Sequence, residues 1–352
     1  MRILFIKPKY IGDSLLLTPT IVAVKNQYPE AEIWVLVRRG CEGILAGCPA
    51  IHRVLGLAPV KDSRRERLGW WLDLLVLREL RKVVFDHVFE LGDGHRGRWF
   101  VLGTRWEKSY SVAPAGPFSP FWRKRYNGIS TFNWHHCHRV EKDFMSVNEF
   151  LPVKQPIPPL CFDRTRATPW LPAEKIGSFA VLHIGALQPQ KRWAVSEWVE
   201  VGKFLLQHLP WIVVACGPGI NETKEAEWLQ KELGPQALCT MGKTNWNELA
   251  DLLYRAGLFV GLDSAAMHLA AACQCPIVAL FGPTDEVHWG PWQATCQIVT
   301  TKRVSPTDPA HLVRANERLM SDVKASKVIL ACKNFLAETR NPSPKKTMAG
   351  AT

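Results

Sequence analysis

The sequence predicts an α/β protein of two domains, each a parallel sheet flanked by helices. Three observations carry this. Short apolar runs alternate with helical stretches along most of the chain, the pattern of repeated βα units. A proline-dense stretch, LPVKQPIPPLCFDRTRATPWLPAEKIG (151–177), interrupts that alternation near the middle and has the composition of an extended connection. The 352 residues exceed one ordinary domain and fill two of roughly 150–180 residues each.

The elements follow in order. RILFIK reads as a first strand rather than a leader, because MRILFIKPKY lacks a small-residue cleavage site. After a Gly-Asp turn comes the helical SLLLTPTIVAVKNQYP, then the strand AEIWVLVRR. DHVFELG is the next clear strand and runs into a polar turn at Asp93. Beyond the prolines the alternation restarts: FAVLHIG, helical VSEWVEVGKFLLQHL, WIVVACG, helical ETKEAEWLQKEL and WNELADLLYRA, GLFVGL, helical AAMHLAAAC, and PIVALFG. ASKVILACKNFLAE closes the fold as a helix, and NPSPKKTMAGAT is a polar, disordered tail. The domains are therefore placed at 1–160 and 178–324, with a linker at 161–177, a closing helix at 325–338 and a tail at 339–352. Ligands of open parallel sheets bind beyond the carboxyl ends of the strands. A cleft between the two domains is the place to look for chemistry.

Composition narrows the function. No uncharged apolar run approaches the ~20 residues that cross a bilayer, and the pattern suits a cytosolic protein. Ten cysteines at irregular spacings read as reduced, mostly buried thiols. Cys273-Gln274-Cys275 is too close for an ordinary zinc half-site, and the run His135-His136-Cys137-His138 has no partner cluster. The net charge is +12, with basic residues concentrated between 61 and 125 in KDSRRER, RELRK, RGRW and FWRKRY, the last containing Arg123, Lys124 and Arg125. Trp70, Trp71, Trp99, Trp106, Phe121 and Trp122 interleave with them. An anionic partner follows, whether nucleic acid, a phosphorylated substrate or an acidic membrane surface. Aromatics beside cations suit a membrane interface as well as stacked bases, so composition alone leaves these open.

The informative polar residues lie in loops after strands. Asp263 and Ser264 follow GLFVGL and open an otherwise apolar helix that also carries His268. Asp263 can simply cap that helix. The same geometry also gathers backbone N–H groups and the positive end of a helix dipole, which attract a phosphate. Ser264 would add a donor there, and Asp263 would accept from sugar hydroxyls; a sugar diphosphate supplies both kinds of group. Asp13 stands at the corresponding place after the first strand, as a helix cap or as a general base, with Lys7 and Lys9 beside it. In HIGALQPQKRW, Lys191 and Arg192 follow another strand, where a cation could stabilise a departing diphosphate. CGPGINE lacks the G-x-G-x-x-G pattern, and no P-loop sequence occurs.

ILFIKPKYIGDSLLLTP, HIGALQPQKRW and GLDSAAMHLAAACQCPIVALFGPT, in that order, resemble the lipopolysaccharide heptosyltransferases, the ADP-heptose-using enzymes of glycosyltransferase family nine. The resemblance spans roughly residues 1–335. It implies a GT-B fold, two Rossmann-like domains facing a cleft, and an inverting, metal-independent transfer. HWGPW after FGPT, with FWRKRY in the first domain, points to addition of the third, branching heptose; another inner-core position, or a GT-B sugar-nucleotide epimerase, are the alternatives. By the same resemblance Asp13 is the base and Lys191 the lysine at the donor phosphate. Asp263, Ser264, Ala265 and His268 form the donor block. Glu222 binds the ribose, with Glu225 as its rival, Met241 contacts adenine through its backbone, and Gly185 lies at the donor. The loop before Lys191 departs from relatives in carrying Gln188 and Gln190. No cofactor is implied beyond ADP-heptose as donor substrate. The implied acceptor is a phosphorylated lipid A–core oligosaccharide on the anionic cytoplasmic face of the inner membrane, and no nucleic acid. Lys7, Lys9 and Arg123–Arg125 are then acceptor or membrane contacts.

Overall fold

The computed structural model describes residues 1–58, 66–92, 94–113, 118–171, 178–305, 307 and 310–340. The turn expected at Asp93, the end of the linker at 172–177, the residues 341–352 of the tail and most of KDSRRER lie outside the described residues.

In the first half, β1 (Arg2–Lys7), β2 (Glu32–Arg38), β3 (Arg53–Leu57), β4 (Val84–Glu90), β5 (Arg105–Ser111) and β6 (Gly128–Ile129) form a parallel sheet in the order β3-β2-β1-β4-β5-β6. In the second, β7 (Phe179–His183), β8 (Trp211–Ala215), β9 (Ala237–Cys239), β10 (Leu258–Leu262), β11 (Ile277–Leu280) and β12 (Cys296–Val299) repeat that order as β12-β11-β10-β7-β8-β9. Strand order reverses direction between β1 and β4 and between β7 and β10. Those two reversals open the crevices that such sheets use for ligands.

Helices of the first half are α1 (Ile11–Leu15), α2 (Thr18–Gln27), α3 (Glu42–Leu45), α4 (Glu66–Leu80), α5 (His95–Gly103), α6 (Pro120–Arg123) and α7 (Arg139–Asn148). Those of the second are α8 (Val195–Leu206), α9 (Ile220–Leu233), α10 (Trp246–Arg255), α11 (Ala265–Ala272), α12 (Glu286–Trp289), α13 (His311–Asn316) and α14 (Ala325–Arg340). The central strands are apolar throughout because both faces are covered: Ile3, Leu4, Phe5 and Ile6 are fully buried. Asn245 starts α10 with a reciprocal cap, accepting from the Glu248 N–H at 3.0 Å while Glu248 accepts from the Asn245 N–H at 2.8 Å. Gly234, at φ 77°, ends α9 in a backbone conformation that favours glycine.

SLLLTPTIVAVKNQYP forms two helices, not the single helix its pattern suggests. Pro19 has no N–H to donate to a preceding turn, so the chain breaks after Leu15 and restarts with Pro19 in the first turn of α2. The Thr18 hydroxyl seals the break, donating to Leu15 O at 2.8 Å and accepting from the Cys161 N–H at 3.0 Å.

The halves share apolar contact. Leu15 and Leu16 belong to one buried cluster with Ala266, Met267 and Ala270 of α11. The connecting segment also touches both sides. The Asp163 N–H donates to Gly47 O at 2.7 Å, and Trp292 Nε1 donates to Pro158 O at 3.0 Å. No helix among the described residues is long and apolar enough to cross a membrane.

Candidate active site

Asp13 sits in α1, directly after β1, where the first sheet reverses. It is not the helix cap. That position belongs to Tyr10, whose backbone N–H donates to Asp13 Oδ2 at 3.3 Å. The carboxylate thus stays near the helix start. Asp13 lines a cavity of about 270 Å³ together with Lys7, Lys9, Trp134, Arg139 and Lys142 of its own domain and Trp289 of the other.

Facing it is the reversal of the second sheet. Ser264, not Asp263, caps α11, with extended backbone at φ −155° and ψ 169° and no side-chain bond to the helix. Its hydroxyl is buried without a hydrogen-bond partner among the described residues. Asp263 is freed from capping and pairs instead with Lys191, Nζ to Oδ2 at 2.6 Å. Lys191 ends a single tight turn, Pro189–Lys191, that follows β7. One turn into α11, His268 is 3% exposed, and its Nδ1 also lacks a partner among the described residues. Burial pushes the His268 pKa down, against the pull of Asp263 and Asp13, which favours the neutral imidazole. A buried hydroxyl and a buried ring nitrogen without partners are costly unless a ligand completes them.

Glu222 lies in the first turn of α9, against two glycines, Gly185 and Gly217, that lie just past the ends of β7 and β8. A Cβ on Gly185 would sit 2.5 Å from Glu222 Oε2, and one on Gly217 would sit 2.7 Å away. The Gly217 N–H donates to that oxygen at 2.7 Å. Only glycine lets the backbone come this close to the carboxylate. Arg192 reaches both acids, at 3.9 Å from Glu222 and 3.7 Å from Glu225. Burial raises the Glu225 pKa, opposed by Arg192. Met241, at φ 50°, and Gly242, at φ 67°, form a left-handed turn after β9. A Cβ on Gly242 would lie 2.5 Å from Pro218 Cα, so this turn is pressed onto the loop that carries Gly217.

The expected cationic contacts divide. Lys7 is 4% exposed and its ammonium is engaged by the buried Asp143 carboxylate. Lys9 is exposed at the cavity. Arg123 and Lys124 lie exposed on and just after α6, and the Arg125 guanidinium packs 3.4 Å from the Phe121 ring; none of the three lines the cavity. In the histidine run, His135 and His136 are exposed while His138 is buried, bonded through Nε2 to Gly290 O at 2.9 Å and stacked on Trp292. The run does not converge on one point.

Three features were not read in the sequence. Arg139, in α7, has its guanidinium carbon 4.5 Å from the Trp134 ring and 5.0 Å from the Trp289 ring. Nothing in HRVEKDF announces this, since the second indole comes from the other domain. Arg318 is 6% exposed and donates to the carbonyls of Gly282, Thr284 and Lys302 and to the Glu286 carboxylate. This fixes the loop after β11. The third is GDGHRG (92–97), which has the G-x-G-x-x-G spacing after β4. Its glycines close on a buried acid: Glu90 Oε1 accepts from the Gly92 N–H at 3.0 Å, and a Cβ on Gly97 would lie 2.5 Å from the same oxygen. The spacing here packs a carboxylate rather than cradling a pyrophosphate.

Comparison with known proteins speaks to the family and the fold. Residues 75–311 match the model of glycosyltransferase family 9 (heptosyltransferase). The chain is 27% identical over 349 residues to lipopolysaccharide heptosyltransferase 3 of Escherichia coli, covering 94% of this chain and 96% of that one. It is 28% identical over 327 residues to lipooligosaccharide heptosyltransferase 2 of Haemophilus influenzae, covering 85% and 88%. Among solved structures, a family 9 glycosyl transferase from Veillonella parvula superposes with TM-score 0.79 at 18% identity, covering 96% and 97%. The E. coli heptosyltransferase WaaC with ADP superposes with TM-score 0.76 at 19% identity, covering 95% and 100%. The two doubly wound sheets are the GT-B fold, and the chain belongs to glycosyltransferase family 9, the heptosyltransferases.

Proposed function

We propose that this protein transfers heptose from ADP-heptose to a heptose of the lipopolysaccharide inner core, adding the third, branching sugar in an inverting, metal-independent displacement. The observation that carries the reading is the packing of the helix that carries Asp13 against α11, Gly12 on His268 and Ala265, with the Lys191–Asp263 pair and Ser264 at the start of α11, each group at the reversal of its own sheet. Asp13 takes the proton of the acceptor hydroxyl. The hydroxyl oxygen then forms its bond to the anomeric carbon while the bond to the diphosphate breaks, and ADP leaves with that electron pair. Lys191 and the N-terminal N–H groups of α11, with the Ser264 hydroxyl, stabilise the growing diphosphate charge. Asp263 accepts from the heptose hydroxyls, Glu222 from the ribose, and the turn at Met241 receives adenine against its backbone. Gly185 permits the close approach.

The acceptor is a phosphorylated lipid A–core glycolipid, so the first domain works at the anionic cytoplasmic face of the inner membrane. Trp70, Trp71, Leu74 and Leu75 of α4 are each at least 45% exposed, beside a basic surface that includes Arg78 and Arg81. Such a mixture of apolar and cationic side chains suits a headgroup layer.

The test is ADP release from ADP-heptose by wild type, Asp13→Asn and Lys191→Met, using core lipid that lacks only the branching heptose. Acceptor-dependent release, lost at least a hundredfold in both variants, is the expected result. No release on that acceptor rejects the branching assignment. Release without acceptor points instead to hydrolysis or an epimerase-like reaction.

A further inference from the structure

None of the ten cysteines has a part in the transfer proposed above. For most of them burial pushes the thiol up, as it does for the half-buried Cys137, Cys239 and Cys296. Two stand apart as a pair. Cys161 lies in the connection between the domains, and Cys48 lies in the turn after α3.

Backbone contacts bring them together. The Asp163 N–H donates to Gly47 O at 2.7 Å, and a Cβ on Gly47 would collide with the Phe162 ring. The connection is thus pressed onto the residue just before Cys48. It is also held from two other directions. The Cys161 N–H donates to Thr18 Oγ1 at 3.0 Å, and Phe162 O accepts from the Tyr254 hydroxyl of α10. Cys48 is fixed in turn by its own N–H, which donates to Leu45 O at 2.9 Å. Between these fixed segments the two thiols hydrogen-bond to one another. Neither lines the cavity beside Asp13.

The pair is not symmetric. Cys48 is 3% exposed, whereas Cys161 keeps part of its surface open to solvent. The hydrogen bond to Cys161, together with burial, pushes the Cys48 thiol up. The hydrogen bond from Cys48 pulls the Cys161 thiol down, against burial and Asp163. Of the ten, only Cys161 is displaced in that direction. An accessible, easily ionised thiol in contact with a second thiol is the arrangement that peroxides convert to a disulfide.

We infer that Cys48 and Cys161 are a site of oxidative modification, where a small hydroperoxide joins them in a disulfide that ties the connection to the first domain. The Cys161 thiolate attacks the hydroxyl oxygen of the peroxide, and the O–O bond breaks. The leaving oxygen takes the proton that Cys161 released, and Cys161 becomes a sulfenic acid. The Cys48 sulfur then bonds to the Cys161 sulfur as the S–O bond breaks, and the hydroxyl leaves as water with the Cys48 proton. Two thiols are oxidised by two electrons and one peroxide is reduced by the same two. A thiol reductant reverses the bond.

The experiment treats the reduced, full-length protein with a small excess of hydrogen peroxide. Free thiols are capped with iodoacetamide and the peptides are mapped by mass spectrometry without reduction. The expected result is a peptide joining Cys48 to Cys161, two hydrogens lighter than its parts and separated again by dithiothreitol. Cys137 and Cys296 should be oxidised about tenfold more slowly. In Cys48→Ala a sulfenic acid trapped by dimedone should accumulate at Cys161, about tenfold above wild type, because its resolving thiol is gone. In Cys161→Ala, oxidation of Cys48 should slow by about the same factor. Thermal melting before treatment shows that the variants are folded, and the wild-type map decides the matter if one is not. Cys161 carried to sulfinic or sulfonic acid while Cys48 stays reduced overturns the inference. So does a disulfide from either residue to another cysteine, or oxidation of Cys137 or Cys296 as fast as that of Cys161.

Discussion

Gly12 and His268 meet across the cleft, close enough that a Cβ on Gly12 would lie 3.1 Å from His268 Cδ2 and 3.7 Å from Ala265 Cα. The helix that carries Asp13 therefore rests directly on α11, the helix that carries Ser264 at its cap and His268 one turn in. Gly12→Ala adds helix propensity worth ~0.5–1 kcal/mol and loses a comparable amount by crowding. Its melting temperature should stay within a few degrees of wild type. The penalty should appear in catalysis, as a fall in kcat of about tenfold, because reacting groups displaced by a fraction of an ångström lose rate steeply. Unchanged kcat with a lower melting temperature would show that this contact is packing alone.

Glu222 and Glu225 can be separated by donor affinity. The Glu222 carboxylate is held by the Gly217 N–H at the end of β8, whereas Glu225 is one turn further along α9. Glu222→Gln keeps the shape and an acceptor for Gly217 but removes the charge. A charged hydrogen bond lost to the ribose is worth ~1–2 kcal/mol, about a tenfold rise in the Kd for ADP by calorimetry. Glu225→Gln should change it less than threefold. The opposite ranking would move the ribose to Glu225.

Acid should loosen the joint between the domains. Burial pushes the His138 pKa down to about 3 from an ordinary value of 6.5. The folded state thus holds this ring neutral where the unfolded chain would protonate it. Its contribution is fully present above pH 6.5 and is lost as the pH falls from there toward 3, approaching ~1.4 kcal/mol per pH unit. His138→Asn keeps a side chain that can cap α7 but cannot titrate. Urea midpoints at pH 7.5, 6 and 5 should show a shallower decline for the variant. They should also show a lower starting stability, by ~1–2 kcal/mol, from the lost contacts with Gly290 and Trp292. Parallel declines would mean that His138 does not report the acid transition.

Membrane attachment is tested on α4. Trp71 and Leu75 are 57% and 56% exposed and stand four residues apart, on one side of the helix. Changing both to serine should reduce co-sedimentation with vesicles containing anionic lipid at least tenfold, since burying each such side chain is worth ~1.5–3 kcal/mol. Added salt should weaken binding by the wild type as well. Vesicle binding that survives the double change would place the attachment elsewhere.

Much of this was legible before any coordinates. The apolar strands RILFIK and LFVGL are buried on both faces and announce themselves as continuous runs. The segments just after them carry Asp13 and Asp263 because parallel sheets expose those ends. The polar strand β5, buried only over its last residues, and the very short β6 and β9 carry little pattern. Individual roles were harder to read. Asp263 looks like a cap in sequence, yet Ser264 takes that position and Asp263 turns to Lys191, 72 residues away. Arg139 was invisible for the same reason: what makes it distinctive is an indole from the other domain.

Arg318 grips the loop after β11 through the backbone carbonyls of Gly282 and Thr284, and the same guanidinium group ties that loop to the carbonyls of Lys302 and Ala315. A loop held through its backbone keeps its course by contacts that most of its side chains do not make. Gly282 is the exception, since a Cβ there would lie 2.4 Å from Met320 Sδ, so one arginine outside the loop and one glycine within it together set the floor on which the remaining side chains stand.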